Sequence, residues 1–229
     1  MRNLRVVVVV LAILGISSIA SASIFMEDFE SYAAGSAMHG QGGWKGWDNV
    51  AGAGAPVSSK YANSGSKSVE IIGTSDLVHE FDQAGGKWVF SAKQYIPSGT
   101  TGTTYFLLLN TYKDGGPYDW SVQLACDLGT GVITSDFGGG ATANISYDKW
   151  IELKFAIDLA SNTVSEYYNG ALISNHQWDD NVHGTLQAID LYGNGASPVY
   201  YDDITVVPEP ATLSLLCLGG LALIRRRRS

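Results

Sequence analysis

Trp150-Ile-Glu-Leu-Lys-Phe-Ala-Ile-Asp158 alternates apolar and polar side chains along its whole length. Successive side chains of a strand point to opposite faces. Ile151, Leu153, Phe155 and Ile157 therefore share one face, and Glu152, Lys154 and Asp158 share the other. The pattern predicts a half-buried strand. Comparable segments at 68–72, 77–81, 87–96, 104–112, 119–127, 132–137, 163–168, 186–192 and 199–206 predict further strands. Turn residues separate them. Asn169-Gly170 is a two-residue hairpin signal because both positions tolerate positive φ. Lys113 to Pro117, Gly129 to Gly131, Gly138 to Gly140 and Gly193 to Gly195 carry similar turn chemistry. No stretch between residues 23 and 207 shows a helical period. Short strands at roughly 8–12-residue spacing predict an all-β antiparallel sandwich or jelly roll.

The two ends break this pattern. Arg2 and Arg5 precede an unbroken apolar run from Val6 to Ile16, and Ala20-Ser21-Ala22 follows. A basic start, a short apolar stretch and an A-x-A site make a secretory signal, with Ala20 and Ala22 marking the cleavage site and residues 1–22 removed. At the other end, Ala211 to Ile224 forms an apolar run of about 21 Å as a helix, short against a hydrocarbon core of about 30 Å. Arg225 to Arg228 directly after it hold that end in the cytoplasm. Everything between the two apolar runs is then placed outside. The expected architecture is an N-terminal signal helix, a sandwich over 23–207 and a short C-terminal hydrophobic helix within 208–229.

Val207-Pro208-Glu209-Pro210-Ala211-Thr212, the apolar run and the terminal arginine cluster resemble the PEP-CTERM sorting signal. The resemblance implies recognition by an exosortase, a membrane-embedded cysteine transpeptidase-like enzyme, in a Gram-negative bacterium. Cutting near Pro208, Glu209 and Pro210 would free the body from its tail, much as a GPI signal is discarded. It also implies export after signal-peptidase processing, a transient membrane tether, and a place at the cell surface or outside it. Such proteins accompany exopolysaccharide production, so a role in biofilm or extracellular matrix is part of the expectation.

Charge narrows the partners. The whole chain carries a formal net charge of −8. The body is more acidic: eight lysines face 21 acidic residues over 23–207, a net of about −13, with no arginine. A nucleic-acid partner needs a basic footprint, which is missing. Neutral glycans or cations are the easier partners. Cys126 is the body's single cysteine and reads as a small buried hydrophobe.

Phe29-Glu30-Ser31-Tyr32-Ala33-Ala34-Gly35 with Gly42-Gly43-Trp44 resembles the opening of concanavalin A-like and laminin-G-like jelly rolls and related carbohydrate-binding modules. Trp150 to Asp158 with Tyr167-Tyr168-Asn169-Gly170 resembles their central strands, and Tyr201-Asp202-Asp203-Ile204-Thr205-Val206 their closing strand. The fold follows from the resemblance; an activity does not. Jelly-roll glycosidases carry carboxylates at alternate positions of one strand. Asp28 with Glu30, and Glu80 with Asp82, have that spacing, but neither belongs to the Glu-x-Asp-x-(x)-Glu motif of laminarinase-like hydrolases. Solvated strand faces account for both pairs, and the expectation is a protein that is not an enzyme. A polysaccharide-active enzyme on the same fold and a purely structural matrix protein are the alternatives.

Two kinds of binding site remain. First and last strands are neighbours in many jelly rolls, which would bring Asp28 or Glu30 near Asp202 or Asp203 as ligands of a structural calcium. Hydrogen-bonded and surface carboxylates are the competing account. Sugar sites set aromatic faces against pyranose rings. Trp44 and Trp47 flank a glycine-rich turn, Tyr118 and Trp120 follow Gly115-Gly116-Pro117, and Trp178 sits in an acidic loop, Asn175 to His183. These five are the candidates for weak glycan binding, with core packing the alternative for each; Trp88 and Trp150 are assigned to the core.

Overall fold

A computed structural model describes residues 25–180 and 183–209. The signal helix, the C-terminal helix, the cleavage residues Ala20 and Ala22, and Pro210 lie outside the described residues. The rest is all-β. One sheet runs β13 (Ala171–Gln177), β12 (Thr163–Tyr168), β11 (Trp150–Asp158), β6 (Lys87–Tyr95), β15 (Val199–Pro208), β4 (Ser68–Ile71) and β3 (Val57–Ser58), and β1 (Phe25–Glu27) also pairs with β15. The other runs β10 (Ala141–Asn144), β9 (Val132–Ser135), β8 (Asp119–Asp127), β7 (Thr103–Thr111), β14 (Thr185–Tyr192), β5 (Asp76–Ala84) and β2 (Trp44–Gly46). Every pairing is antiparallel, and the two sheets form a jelly-roll sandwich.

The alternation in the sequence becomes the register of the sheets. Ile151, Leu153, Phe155 and Ile157 are buried, and their polar neighbours face out. On that outer face Asp158 is opposite Lys87 and bonded to it at 2.9 Å, while Glu152 meets Lys93 at 3.5 Å. The Lys87 ammonium, aided by Ser161, holds the Asp158 carboxyl down at about 2. Phe106 of β7 stacks on Phe155 of β11 with ring centroids 5.0 Å apart, and Phe90 of β6 meets both edge-on. This triad joins the sheets at mid-core. Cys126 is fully buried, burial pushes its thiol up to about 12, and it packs as a small hydrophobe. Asn169 and Gly170 have φ of 51° and 80°, the conformation a two-residue hairpin turn requires.

Some elements differ from the sequence pattern. Asn175, His176 and Gln177 belong to an edge strand, β13, where a loop was expected. His176 there sits 3.1 Å from Glu166, a core-facing carboxylate with no solvent exposure. Burial pulls the imidazole down, but the Glu166 and Gln177 oxygens outweigh it and the net shift is upward. The polar character of the segment comes from this buried pair and an exposed edge. Trp150 lies on the outer face of its sheet against Tyr95, and not in the core. Trp88 packs partly buried against the core, as expected. The last strand extends through Pro208, so the start of the tail motif is still paired with the sheet, at Trp88.

Candidate functional site

Strand β7 is apolar on both faces, unlike a strand with one face in water. Phe106 and Leu108 enter the main core, while Leu107 and Leu109 belong to a second cluster with Val78, Tyr112 and Ala188. Trp47, Tyr105, Tyr118, Trp120 and Tyr192 pack around that cluster. The outer face of the second sheet is thereby an aromatic-walled groove. It encloses a cavity of about 350 Å³ lined by Trp47, Asp76, Tyr105, Leu107, Trp120, Gln123, Asp190, Tyr192 and Asn194. Tyr105 and Tyr192 are cross-strand partners with stacked rings 5.9 Å apart. Trp47 and Trp120 lie parallel, within 3° and 6.1 Å.

Trp47 reaches the groove from a single-turn helix, Trp47–Asn49, whose position depends on Asp48. Asp48 and Asn49 both adopt the left-handed conformation, with φ of 54° and 60°, which Asp and Asn tolerate better than most residues. The Asp48 N–H donates to the Tyr112 hydroxyl at 3.0 Å, and Asp48 Oδ1 accepts from Gly115 N–H at 2.9 Å and from the Tyr118 hydroxyl. Those bonds to Oδ1, the phenol's first, hold the Asp48 carboxyl below its usual range. Tyr118 braces Trp47 at 4.7 Å and does not line the cavity.

Two carboxyls complete the groove. Asp76 of β5 and Asp190 of β14 lie on the same face, diagonal to one another across the strand pair. Asp190 is 4% exposed and Asp76 half-buried, and each keeps an Oδ1 without a hydrogen-bond partner. Burial, then the neighbouring charge of Asp76, pushes Asp190 well above the usual carboxylate range; Asp76 is raised as well, chiefly by burial. The two carboxyls act directly on one another, and a proton shared between them would relieve their repulsion. The ammonium of Lys45, set over the Tyr112 ring of the same cluster, is taken up by Glu80 and by Asp114 at 2.6 Å.

Of the five aromatic candidates, the structure brings Trp47 and Trp120 together in the groove. Two must be corrected. Trp44 is 1% exposed, inside the main core, with its indole N–H on Glu27 Oε2 at 3.3 Å. Trp178 is also 1% exposed, its N–H on the Thr185 carbonyl at 2.9 Å, beneath a second cavity of about 400 Å³ that Trp120 also lines. Both belong to the main core, Trp44 wholly and Trp178 at the wall of that second cavity, so neither joins the groove of Trp47 and Trp120. Asp76, Tyr105, Asp190 and Tyr192 were not singled out from the sequence.

Asp28, Glu30, Asp202 and Asp203 divide into separate tasks. Asp202 Oδ2 accepts from the N–H groups of Asn63 and Ser64 at 2.7 and 3.1 Å, and Asp203 takes the side chains of the same two residues. Burial raises Asp202 to about 6 despite these bonds. Glu30 accepts from Ser66 and Lys67 N–H at 2.8 and 2.6 Å, and Asp28 caps Glu30 N–H at 3.1 Å. The Lys67 ammonium sits on the carbonyls of Glu30 and Tyr32, both at 2.6 Å. Glu30, Asp202 and Asp203 thus clamp the turn 63–67 to the segment after β1 and to β15, with both oxygens of each on protein donors, while Asp28 holds the backbone at Glu30. Among the described residues the ligand-type group whose atoms converge within 4.8 Å is a different one: Asp119, Asp180 and His183.

Residues 206–228 match the PEP-CTERM protein-sorting motif. The motif indicates export and sorting to the cell surface and implies exosortase processing. Pro208 ends the last strand, and the Glu209 N–H donates to the Lys87 carbonyl at 2.9 Å. No curated protein matches the chain. Among solved structures, a sialidase matches with a TM-score of 0.53 at 12% identity, over 82% of this chain and 19% of that one. The chain thus spans about a fifth of the sialidase's length. The cellulose-induced protein Cip1 matches with a TM-score of 0.48 at 15% identity, over 80% and 96% of the two chains. The carbohydrate-binding module CBM66 from Bacillus subtilis matches at 0.44 and 15%, over 72% and 95%. Likeness at such identities is one of fold.

Proposed function

We propose that the processed protein is a non-catalytic glycan-binding module of the cell surface or matrix, and that it binds in the groove on the outer face of the second sheet. The observation that carries this reading is the cavity walled by Trp47, Trp120, Tyr105 and Tyr192 over the polar floor of Asp76, Asp190, Gln123 and Asn194. Aromatic faces against sugar C–H groups with a few fixed polar partners are what a pyranose needs. The carboxyl geometry favours binding over hydrolysis. Glycosidase pairs stand about 5–5.5 or 6.5–9.5 Å apart so that a sugar carbon or a water fits between them. Asp76 and Asp190 lie diagonally across a single strand pair and press on one another's charge, so they form one coupled group and not an acid and a base set on opposite sides of a sugar.

The test is gel retardation of the processed protein in a panel of uncharged, amino and acidic polysaccharides, with calcium and with chelator. Retardation by a non-acidic glycan without shortening of its chains is expected, lost in Trp120→Ala and retained with chelator, because the turn 63–67 is held by protein donors. Chain shortening would replace the binding module with an enzyme. Retardation that survives Trp120→Ala would move the site elsewhere.

A further inference from the structure

Resting on that reading, the groove carries information about which glycan it takes. Three observations converge. The floor holds two carboxyls, one of them almost wholly buried, each with an oxygen lacking a hydrogen-bond partner. Four aromatic rings surround them, and none of the lining residues is basic. Lys45, the nearby ammonium, already has two carboxylate partners. A hydroxyl can donate to one free oxygen, but it leaves a shared proton and a charge in an aromatic-walled cavity. An ammonium donates up to three hydrogen bonds, neutralises the charge and is attracted by ring faces within about 6 Å.

We propose that the groove selects glycans bearing free amino groups, seating the sugar ammonium against the Asp76–Asp190 pair among the rings of Trp47, Tyr105, Trp120 and Tyr192. Binding then displaces the proton shared by the two carboxyls into solvent. The groups facing the pair are the phenols of Tyr192 on its own sheet strand and Tyr105 on β7, the indole of Trp120 and amide of Gln123 on β8, and the carboxylate of Asp48 beyond Trp47. An N-acetylated sugar of the same shape has no cation to offer, and an acidic one is repelled.

The experiment is calorimetric titration of the processed protein with a glucosamine tetrasaccharide and its fully N-acetylated counterpart, at about pH 6 in two buffers of different ionisation enthalpy, where the sugar amines are protonated. The amino form is expected to bind about tenfold tighter and to release a proton, by the worth of a desolvated cation–π and charge contact. Asp190→Asn keeps the shape and abolishes the proton release; Asp76→Asn with Asp190→Asn removes the preference. Equal affinity for the two tetrasaccharides, tighter binding of the acetylated one, or a preference that survives the double substitution would overturn the proposal. If the variants do not fold, the comparison of the two sugars on the unaltered protein decides by itself. Failure here is separable from failure of the glycan reading. In the first case another non-acidic glycan still binds and Trp120→Ala still abolishes it. In the second no glycan of the panel binds.

Discussion

Asp190 shows how one side chain can be present in a sequence pattern and still be unreadable there. It stands in Ala188-Ile-Asp-Leu-Tyr192, where alternation puts it on the face opposite Ile189 and Leu191, as a solvated carboxylate would be. The structure buries it, because Trp47 and the rings of neighbouring strands roof that face. Its folded pKa lies above the unfolded value of about 3.9, so from about pH 4 upward the folded state holds more protons than the unfolded state, and stability falls as pH rises towards the folded pKa. Asp190→Asn removes that titration. Its melting temperature should exceed that of the unaltered protein by a margin that grows with pH across this window, as thermal unfolding at a pH series would reveal; a margin constant with pH would contradict the burial argument. Asp48 offers a second residue-scale test. Asp48→Ala releases the turn that presents Trp47, and glycan affinity should drop about two- to tenfold, the cost of ordering a freed aromatic side chain. Titration of the panel's best glycan checks this, and an unchanged affinity would remove Trp47 from the site.

At the scale of elements, strands with a clean period of two were legible face by face, while β7 was legible as a strand but not in what covers its outer face. β11 was read residue by residue because its two faces meet different media, core and water. β7 carries Phe106-Leu-Leu-Leu109, apolar on both faces, and this was the one signal of a covered outer groove. A fully buried strand is also expected to be apolar throughout, so the run does not say what covers it. β13 was missed because it is an edge strand, partly exposed, with its inward His176 bonded to a carboxylate in place of a hydrocarbon. The packing of β7 on β11 through Phe106 and Phe155 makes a direct prediction. Phe155→Ala should cost about 3–5 kcal/mol by removing the ring stacked across the core. Its outward neighbour Lys154→Ala should stay within about 0.5 kcal/mol. Denaturant unfolding of both variants tests whether the stacked pair is the joint between sheets; a loss below about 1 kcal/mol for Phe155→Ala would place the joint elsewhere.

For the whole molecule, two functions are laid end to end. The body is an acidic sandwich with its groove on one sheet, and the matched sorting motif starts at Val206, within the last strand of the other sheet, which runs through Pro208. Because Val199 to Val206 make the core contacts of that strand, replacing Pro208, Glu209 and Pro210 by alanine should leave the sandwich folded. The altered protein should stay uncut and membrane-held in its native host. Mass spectrometry of the membrane and released fractions checks this; normal trimming and release would mean that processing does not read these three residues.

The sequence by itself determined the class of fold, the order of most strands and the cellular address, since each depends on local information. Alternation is set by the two-residue period of a strand, turns by residues that tolerate positive φ, and the sorting motif by a contiguous string. Only the tertiary structure decided the groove. Asp76, Tyr105, Trp120 and Asp190 come from four strands whose order in the sheet differs from their order in the chain, and Trp47 arrives on a turn fixed by Asp48. It also decided that Trp44 and Trp178 are core, and that Asp202 holds backbone N–H groups. An aromatic ring or a carboxylate has the same chemistry in either setting. What separates binding from packing is which face the neighbouring elements leave open, and that is a property of the assembled sheets.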